Sequence, residues 1–355
     1  MKKIILLISI LLLSGCADYI EINDLAIVTG LLIDYKDENY IITSQIIESN
    51  DESKIKVITT TGSTIEETLA KISQTSNKEV FISHLKTIIL TENIIKNNID
   101  IYDFFLRNAK SKMNFKIYIA EDEDAKKILK IYEDVDGSAI YIENILKYNS
   151  KLFSSSTPLV FTDLVYKKLE YGLEPIYPNV SVKENNEEEI LYLKNLIAFN
   201  DNKEKIILND IESISYNILT NNLEKTFMDI KCDNKKFSLT LEHVKTKYKW
   251  KNNIFNINTN LKAKINSYEC NYDINEIKTI EKLNTLAEEQ ITKELNNVIK
   301  ISQDNKVDFI GIGNHIYKYD KNYFDFKNNN WNNKLPNINT KVNVDVKITS
   351  IGEIR

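Results

Sequence analysis

Residues 255–265 read Phe-Asn-Ile-Asn-Thr-Asn-Leu-Lys-Ala-Lys-Ile, with an apolar or small side chain at every second position. A period of two predicts a β-strand that buries one face, as strands of antiparallel sheets do. The period then changes, and a long helix is predicted over about 276–302. Its apolar stripe comprises Ile277, Ile280, Leu283, Leu286, Ala287, Ile291, Leu295 and Val298. A half-buried sheet with a helix that covers its apolar face predicts an α+β fold.

The region before this pair also mixes strands and helices. Strands are predicted over 25–33 and 40–48, around the polar turn Asp34 to Asn39. Ser63 with Glu66 predicts a capping box at the start of a helix. Thr162 is expected to cap another helix. Further strands are predicted near 54–60, 80–90, 115–120, 190–199, 226–232 and 236–247, with a last alternating strand at Val342, Val344, Val346 and Ile348.

The chain of 355 residues is too long for one compact core, so we expect more than one domain. The acidic, polar stretch Lys183 to Glu189 is interpreted as a linker. We therefore expect an N-terminal region of one or two subdomains over 16–185, and a C-terminal domain over 190–355 that contains the long helix. The fold predicted for the whole is a multidomain mixed α/β ectodomain with antiparallel sheets.

The first residues have the pattern of an export signal. Lys2 and Lys3 precede an apolar run, Ile4 to Leu13, which is too short to span a bilayer. Leu13-Ser14-Gly15-Cys16 follows, and this pattern predicts cleavage after residue 15 and lipidation of Cys16. Two acyl chains hold a protein firmly on a membrane. We therefore expect an ectodomain anchored on the outer face of a membrane; the alternative is an ordinary signal peptide beside an unrelated cysteine.

Composition excludes several classes of function. The formal net charge is −5, and signal cleavage would remove Lys2 and Lys3, so the mature chain is acidic and has no basic cluster for nucleic acid. Eight glycines leave no phosphate-binding loop. His84, His243 and His315 are far apart in sequence and have no metal-ligand spacing. We expect no enzyme activity, no metal and no cofactor.

Two cysteines remain after Cys16. Cys232 and Cys270 can pair outside the cell, or they can stay as two separate buried thiols, and the second interpretation is favoured. His84 is interpreted as a strand residue with a satisfied side chain, in preference to a contact with a partner. Arg107 is expected to pair with Asp103 on one face of a short helix.

Two further groups are given a structural interpretation. Gly311 and Gly313 indicate a turn or a close approach of the backbone, in preference to a phosphate site. Glu121, Asp122 and Asp124 are expected to favour the N-terminal dipole of a helix, since their spacing is not that of a calcium loop.

Several short segments occur in one order along the chain that is typical of a known family. They are Glu21–Gly30 (EINDLAIVTG), Ser83–Lys86 (SHLK), Ile101–Arg107 (IYDFFLR), Phe161–Leu164 (FTDL), Pro175–Val180 (PIYPNV), Asp308–Gly313 (DFIGIG), Trp331 and Ile351–Gly352. This series resembles the Ger(x)C spore germination lipoproteins. Two positions depart from the family's pattern: Ala17 follows Cys16 where Trp is usual, and Ile20 stands where the family has Arg.

The resemblance implies a role in binding and assembly. Ger(x)C proteins are lipid-anchored C subunits of nutrient germinant receptors, on the outer leaflet of the inner spore membrane. They associate with two polytopic partner subunits, and they have a mixed α/β ectodomain with no known catalysis or cofactor. The resemblance also implies a palmitate-type acyl anchor on Cys16.

Two other functions are alternatives for an exported lipoprotein. A solute-binding lipoprotein of an importer would have two similar lobes of βαβ units, which the alternating C-terminal half disfavours. A surface enzyme would be indicated by a cleft lined with carboxyl groups of perturbed pKa.

Overall fold

The computed structural model describes residues 21–48, 55–132, 137–186, 188–324 and 331–350. The predicted signal peptide and Cys16 lie outside these residues. The fold is α+β, as predicted, and it contains a nine-stranded sheet and a four-stranded sheet. Both sheets are mixed, with antiparallel hairpins and parallel neighbours.

The first sheet has the strand order β3-β2-β1-β5-β6-β7-β8-β9, with β4 also paired to β1. β1 runs parallel to β4 and β5, and the parallel pairing continues from β5 through β6 to β7. The amino-terminal ends of these parallel strands lie along one edge of the sheet, which is formed by strand ends and not by an outermost strand. Their carboxyl-terminal ends lie along the opposite edge. Their bounds are β1 Leu25–Lys36, β2 Asn39–Glu48, β3 Ile55–Gly62, β4 Glu79–Phe81, β5 Thr87–Thr91, β6 Lys116–Ala120, β7 Tyr177–Asn185, β8 Glu188–Phe199 and β9 Lys205–Leu208.

Helices cover both faces of the first sheet. They are α1 Ile65–Ser76, α2 Glu92–Lys96, α3 Tyr102–Arg107, α4 Asp122–Ile128, α5 Ser138–Leu152 and α6 Phe161–Leu169. One core contains Leu69 of α1, Phe105 of α3 and Phe161 of α6. The core on the opposite face contains Ile128 of α4 and Ile142 of α5. Because helices cover both faces, β5 is buried at every residue, including the apolar run Ile88–Leu90.

The second sheet follows α7 Asp210–Leu219 and has the order β10-β11-β12-β13. Its strands are β10 Lys225–Cys232, β11 Lys235–Lys251, β12 Ile254–Tyr268 and β13 Asn339–Ser350. The long helix α8 (Ile277–Asp304) packs on it through Leu283, Ala287, Ile291 and Leu295, all fully buried. Alternation in β12 and the long helix are therefore confirmed. Three short helices follow α8, namely α9 Ile312–Tyr319, α10 Lys321–Phe324 and α11 Trp331–Lys334.

The last strand shows where the expectation of antiparallel sheets is wrong. β13 runs parallel to β12, from Ile254↔Asn339 to Lys264↔Ser350. The physical reason is the connection, because a helix between two neighbouring strands returns the chain to the starting edge and makes the pair parallel. Period-two alternation reports burial of one face and carries no information on strand direction.

Two local predictions also need correction. Lys183 to Glu189 is not a linker, since β7 and β8 pair as a hairpin up to Asn185↔Glu188. The polar sequence reflects the solvent exposure of the hairpin tip. Residues 80–90 do not form one strand either, because β4 ends at Phe81 and β5 begins at Thr87.

Two helix starts lie away from their predicted caps. Thr64, not Ser63, caps α1: its side chain accepts from the Glu67 N–H, and the Glu67 carboxylate accepts from the backbone and hydroxyl of Ser63. Thr162 lies inside α6, whose cap position is Val160. By contrast, the predicted turn between the first two strands is confirmed, with Asp37 and Glu38 at φ of 50° and 61°, as a tight hairpin turn requires.

Candidate functional site

Most residues singled out from the sequence lie apart from one another. His84 is exposed in the connection between β4 and β5, so its assignment to a strand is wrong; its ring centroid lies 5.7 Å from that of Phe81. Arg107 donates to Asp103 at 2.6 Å on the exposed face of α3, as predicted. Cys16 lies outside the described residues, so its lipidation stays a prediction.

The acidic group before α4 has structural partners. Glu121 accepts from Lys205 at 3.2 Å, and Asp124 accepts from the Ser181 hydroxyl and the Val182 N–H. Within the described ranges, no cluster of His, Cys, Asp or Glu side chains is arranged to hold a metal ion.

Cys232 and Cys270 form a disulfide, so the favoured interpretation of two separate thiols is wrong. Their Cα atoms are 5.9 Å apart. Cys232 ends β10 and Cys270 follows β12, and both flank the start of β11. The sequence separation of 38 residues shows nothing of this proximity, because the register of three strands brings the cysteines together.

Gly311 is the N-cap of α9 and Gly313 lies in its first turn, and both show the backbone conformation or close approach predicted for them. Gly311 has φ of 87°, a left-handed conformation that favours glycine. A Cβ atom on Gly313 would lie 2.4 Å from the indole of Trp331. The backbone amides of this turn all point at one carboxylate, that of Asp308, which accepts from Gly311 at 2.7 Å and from Ile312 at 2.9 Å.

Asp308 is the centre of a buried polar junction. Its carboxylate also accepts from Gly313 N–H at 2.5 Å and from Trp331 Nε1 at 2.8 Å. A helix N-terminus attracts anions, and here the chain's own carboxylate takes that position. Gly311-Ile312-Gly313 is thus an anion-binding turn that Asp308 already fills.

The junction joins the two halves of the molecule. Glu174, in the segment between α6 and β7, accepts from the Asp308 backbone N–H at 2.6 Å. Its own N–H donates to the Asp308 carbonyl at 3.0 Å. Asn314 reaches the same segment, since its side chain donates to Glu170 at 2.7 Å and its backbone N–H donates to the Gly172 carbonyl at 2.8 Å.

The buried Asp308 and the half-buried Glu174 differ in the protonation state that their surroundings favour. Burial and the nearby Asp308 charge raise the pKa of Glu174 to about 7. Burial also raises the pKa of Asp308, to about 6, although four N–H donors oppose this rise. Donors favour the charged form of a carboxyl group. Asp308 is therefore the ionised member of the pair, and Glu174 holds a proton up to neutral pH.

A cleft of about 680 Å³ lies where the parallel strands β1, β5 and β6 end. Such carboxyl edges are common ligand sites in α/β sheets. Asp34 lines the cleft and accepts from Thr91 Oγ1, from Asn93 Nδ2 at 3.0 Å and from the Tyr35 N–H at 2.9 Å. Lys36, Asp37, Asp122, Lys126 and Lys130 also line the cleft.

A surface enzyme would be indicated by a cleft lined with carboxyl groups of perturbed pKa, and this cleft meets that condition only in part. Burial, then the charges of Asp34 and Glu92, raise the pKa of Asp122. Asp34, however, is engaged by three donors and serves to fix the ends of β1 and β5.

Sequence reasoning missed Asp34 and Asp308 as site residues. Asp34 follows the buried run Leu31–Ile33 directly, a position that marks a strand end. Asp308 offered a signal in its spacing from Gly311 and Gly313. Glu174 carried no such signal, because its partner lies 134 residues away.

Comparison with known proteins places the chain among spore germination proteins. Residues 18–182 match the family model "Spore germination protein N-terminal domain", and residues 194–352 match "Spore germination B3/GerAC like, C-terminal". Together the two matches cover most of the chain in the order that the family has. The chain belongs to the Ger(x)C family of spore germination proteins.

Relatives agree with this assignment over nearly full length. The chain is 22% identical to Spore germination protein KC of Bacillus subtilis (strain 168), with 98% of this chain and 95% of that protein covered. It is 24% identical to Spore germination protein GerQC of Bacillus cereus, with 99% of each covered.

The fold has a solved counterpart in the crystal structure of the GerBC protein. The TM-score is 0.56 at 18% sequence identity, and the alignment covers 93% of this chain and 100% of that one. Members of this family are germination proteins, and the chain is not an enzyme. Of the helices in the described part of the chain, none has the length and apolar character needed to cross a bilayer.

Proposed function

We propose that this chain is the lipid-anchored C subunit of a spore germinant receptor, needed for the response to nutrient germinants. The observation that carries the proposal is the match to both germination-protein family models, at 18–182 and 194–352, in order along one chain. The family models and relatives support a germination role; the receptor, its membrane and the anchor are the proposed part.

The anchor is Cys16, which the sequence pattern predicts to carry acyl chains. Its task is to keep the ectodomain on the outer face of the inner spore membrane, beside the polytopic subunits of the same receptor. Tethering raises the local concentration of one partner near another without any new contact. We also propose two regions in the mature chain, 16–185 and 190–355, which divide at the β7–β8 hairpin, so that β8 and β9 of the nine-stranded sheet belong to the second region.

The importer alternative receives no support from the architecture. A solute-binding lipoprotein would have two similar lobes with a ligand cleft between them. The two sheets here differ in size, in strand order and in how many faces helices cover.

The decisive experiment measures release of dipicolinate from spores that lack this chain. We expect loss of release in response to nutrients and normal release on a receptor-independent trigger. Normal release in response to every nutrient would contradict the proposal.

The anchor is tested separately with Cys16→Ala, and Ala17→Ser serves as the matched control beside the cleavage site. We expect the first variant to be lost from the spore membrane fraction with its germination response, and the second to behave as the unaltered protein. Normal membrane levels and normal germination with Cys16→Ala would refute the anchoring role.

A further inference from the structure

We infer that the edge of the nine-stranded sheet at which the parallel strands begin is a surface that binds anionic phospholipid headgroups. The inference rests on the proposed anchoring at Cys16. It names a second contact with the membrane, electrostatic and made by the folded ectodomain itself, in addition to the acyl chains.

The position of the anchor selects this edge. Cys16 is five residues before Glu21, and five residues of chain reach at most about 18 Å. Glu21 leads through a single 3-10 turn, Ile22–Asp24, directly into β1. The start of β1 is therefore the part of the ectodomain that the anchor holds nearest to the lipid.

Neighbouring strands bring other segments to the same edge. Leu25 pairs with Glu79 at the start of β4, and the Lys110 ammonium contacts Glu79 at 2.6 Å. Lys86 precedes β5 and Lys116 begins β6; the Lys116 N–H donates to the Lys86 carbonyl at 2.9 Å. Because β1, β5 and β6 are parallel, these lysines all lie where the strands begin.

Helix α5 extends this row of lysines. Glu143 of α5 contacts Lys116 at 2.5 Å, which sets that face of the helix against the edge. Lys147 and Lys151 follow Glu143 at intervals of four residues and occupy the same face. Lys116, Glu143, Lys147 and Lys151 line one open cavity of about 410 Å³ together with Glu224.

The charge at this edge is opposite to that of the whole chain. Glu79 and Glu143 are occupied by Lys110 and Lys116. The exposed Lys112, Lys147 and Lys151 form no ion pair with any carboxylate in the described ranges. Counting both signs, this edge carries Lys86, Lys110, Lys112, Lys116, Lys147 and Lys151 against Glu21, Asp24, Glu79, Glu143 and Glu224, so its net charge is 6 − 5 = +1 in a chain of net charge −5. Lysines near an anionic leaflet attract it strongly at short range.

Apolar side chains accompany the lysines. Phe153, just after α5, is 52% exposed, and Phe227 of β10 is 46% exposed. Their ring centroids are 6.1 Å apart, and Lys225 lies over the Phe227 ring. Aromatic rings beside lysines are typical of surfaces that lie in the interfacial region of a membrane.

The test compares two sets of lysines in the full-length lipidated chain, reconstituted into vesicles of pure phosphatidylcholine or of phosphatidylcholine with one-third phosphatidylglycerol. Amine acetylation rates are read by mass spectrometry. Lys112, Lys147 and Lys151 form the edge set; Lys36, Lys126 and Lys130, exposed at the opposite edge, form the control set. Flotation with the neutral vesicles is scored in parallel.

We expect the edge set to react at least about threefold more slowly on anionic than on neutral vesicles, while the control set is unchanged. The protection should disappear in about 1 M salt, where the Debye length falls to about 3 Å. If the change from neutral to anionic vesicles alters the acetylation rates of the two sets equally, the inference is overturned.

Matched charge reversals sharpen the test. The triple variant K112E/K147E/K151E should lower binding of the non-acylated protein to anionic vesicles on the order of 100-fold, since each lysine contributes to attraction. The triple variant K36E/K126E/K130E, with the same change in net charge, should lower it far less. Equal losses in the two variants would mean that only net charge matters, and would overturn the surface.

The outcomes separate this inference from the proposed anchor. If the protein floats with neutral vesicles but the edge set is not protected, the anchor is supported and the phospholipid-binding surface is refuted. If the edge set is protected on anionic vesicles but the protein does not float with neutral ones, the anchor is refuted and the phospholipid-binding surface is supported.

Discussion

The two sheets of this protein are stabilised in different ways. Helices cover the nine-stranded sheet on both faces, so β5 is buried at every residue from Thr87 to Thr91. The four-stranded sheet is covered by α8, and in β12 asparagines and then lysines alternate with the buried Phe255, Ile257 and Leu261. The first sheet therefore has a separate apolar core on each face, whereas the second has one core, shared with α8 and with β8 and β9 of the first sheet, and is further stabilised by a disulfide and a polar junction.

The junction is one of two kinds of contact that join the sheets; the other is apolar, since Leu196 and Ala198 of β8 and Ile206 and Leu208 of β9 belong to the core of the four-stranded sheet. Across the junction, the Asp308 N–H donates to the Glu174 carboxylate and the Glu174 N–H donates to the Asp308 carbonyl; the Asp308 side chain is buried and that of Glu174 is half-buried. Both tryptophans, Trp250 and Trp331, lie in the half with the four-stranded sheet. Tryptophan fluorescence thus reports that half alone, and far-UV circular dichroism reports both.

The largest effect is expected from Asp308→Ala. The change leaves the buried N–H groups of Gly311, Ile312, Gly313 and Trp331 without their acceptor, which should cost about 3–5 kcal/mol of unfolding free energy. In urea denaturation, the fluorescence transition should move to lower urea and separate from the circular dichroism transition. Asp304→Ala, at an exposed position on α8, is the control. Transitions that stay coincident would show that the junction does not couple the sheets.

Removal of the disulfide should have the next largest effect and should act on one sheet only. Cys232→Ser/Cys270→Ser opens a loop of 38 residues, and loops of this length correspond to about 2–4 kcal/mol. The expected result is a lower midpoint for fluorescence with little change for the first sheet. Reduction of the unaltered protein should reproduce the shift. A fall of equal size in both signals would mean that the sheets unfold together.

The pH dependence of the unfolding free energy tests the junction in the protein without any substitution. The folded-state pKa of Glu174 is raised to about 7, so the folded state binds more protons than the unfolded state between about 4.5 and 7. This contribution to stability is complete below about 4.5 and is lost as pH rises through 7. We expect the unfolding free energy to fall by about 2–3 kcal/mol over that range.

Glu174→Gln should reduce the slope of this profile, most clearly between about pH 6 and 7, because the amide cannot ionise; Asp308, whose pKa is raised to about 6, keeps a slope below that. Glu170→Gln, a neighbouring change at the same junction, is the control and should keep the slope. A profile of unchanged slope in Glu174→Gln would assign the titration to another group.

The smallest effect is expected at the first sheet's surface. Lys205 of β9 contacts Glu92 at 2.7 Å and Glu121 at 3.2 Å, in a partly buried position. Lys205→Met should lower the unfolding free energy by about 1 kcal/mol, since such pairs stabilise weakly. Arg107→Ala, which removes an exposed ion pair on α3, should give no resolvable change in thermal midpoint. A larger loss of stability for Arg107→Ala than for Lys205→Met would contradict this order.

The sequence predicted best those elements in which buried side chains recur at a regular spacing. The alternation of β12 and the apolar stripe of α8 appear directly as side-chain spacing, and both elements are confirmed. The family resemblance was also accessible, since Phe161–Leu164 and Asp308–Gly313 are contiguous segments. The errors lie where the signal is polar: the β7–β8 hairpin has the composition of a linker because its tip is in water.

By itself, the sequence determined the α+β class, the helix that covers the second sheet, and the family, because each of these depends on neighbours along the chain. It also determined the lipidation pattern at Cys16, on which the proposed anchoring depends. The tertiary structure alone decided the direction of β13, the Cys232–Cys270 bond and the contact of Glu174 with Asp308. These depend on strand register and crossover, which bring together residues from 38 to 134 positions apart, and no local pattern encodes such a meeting.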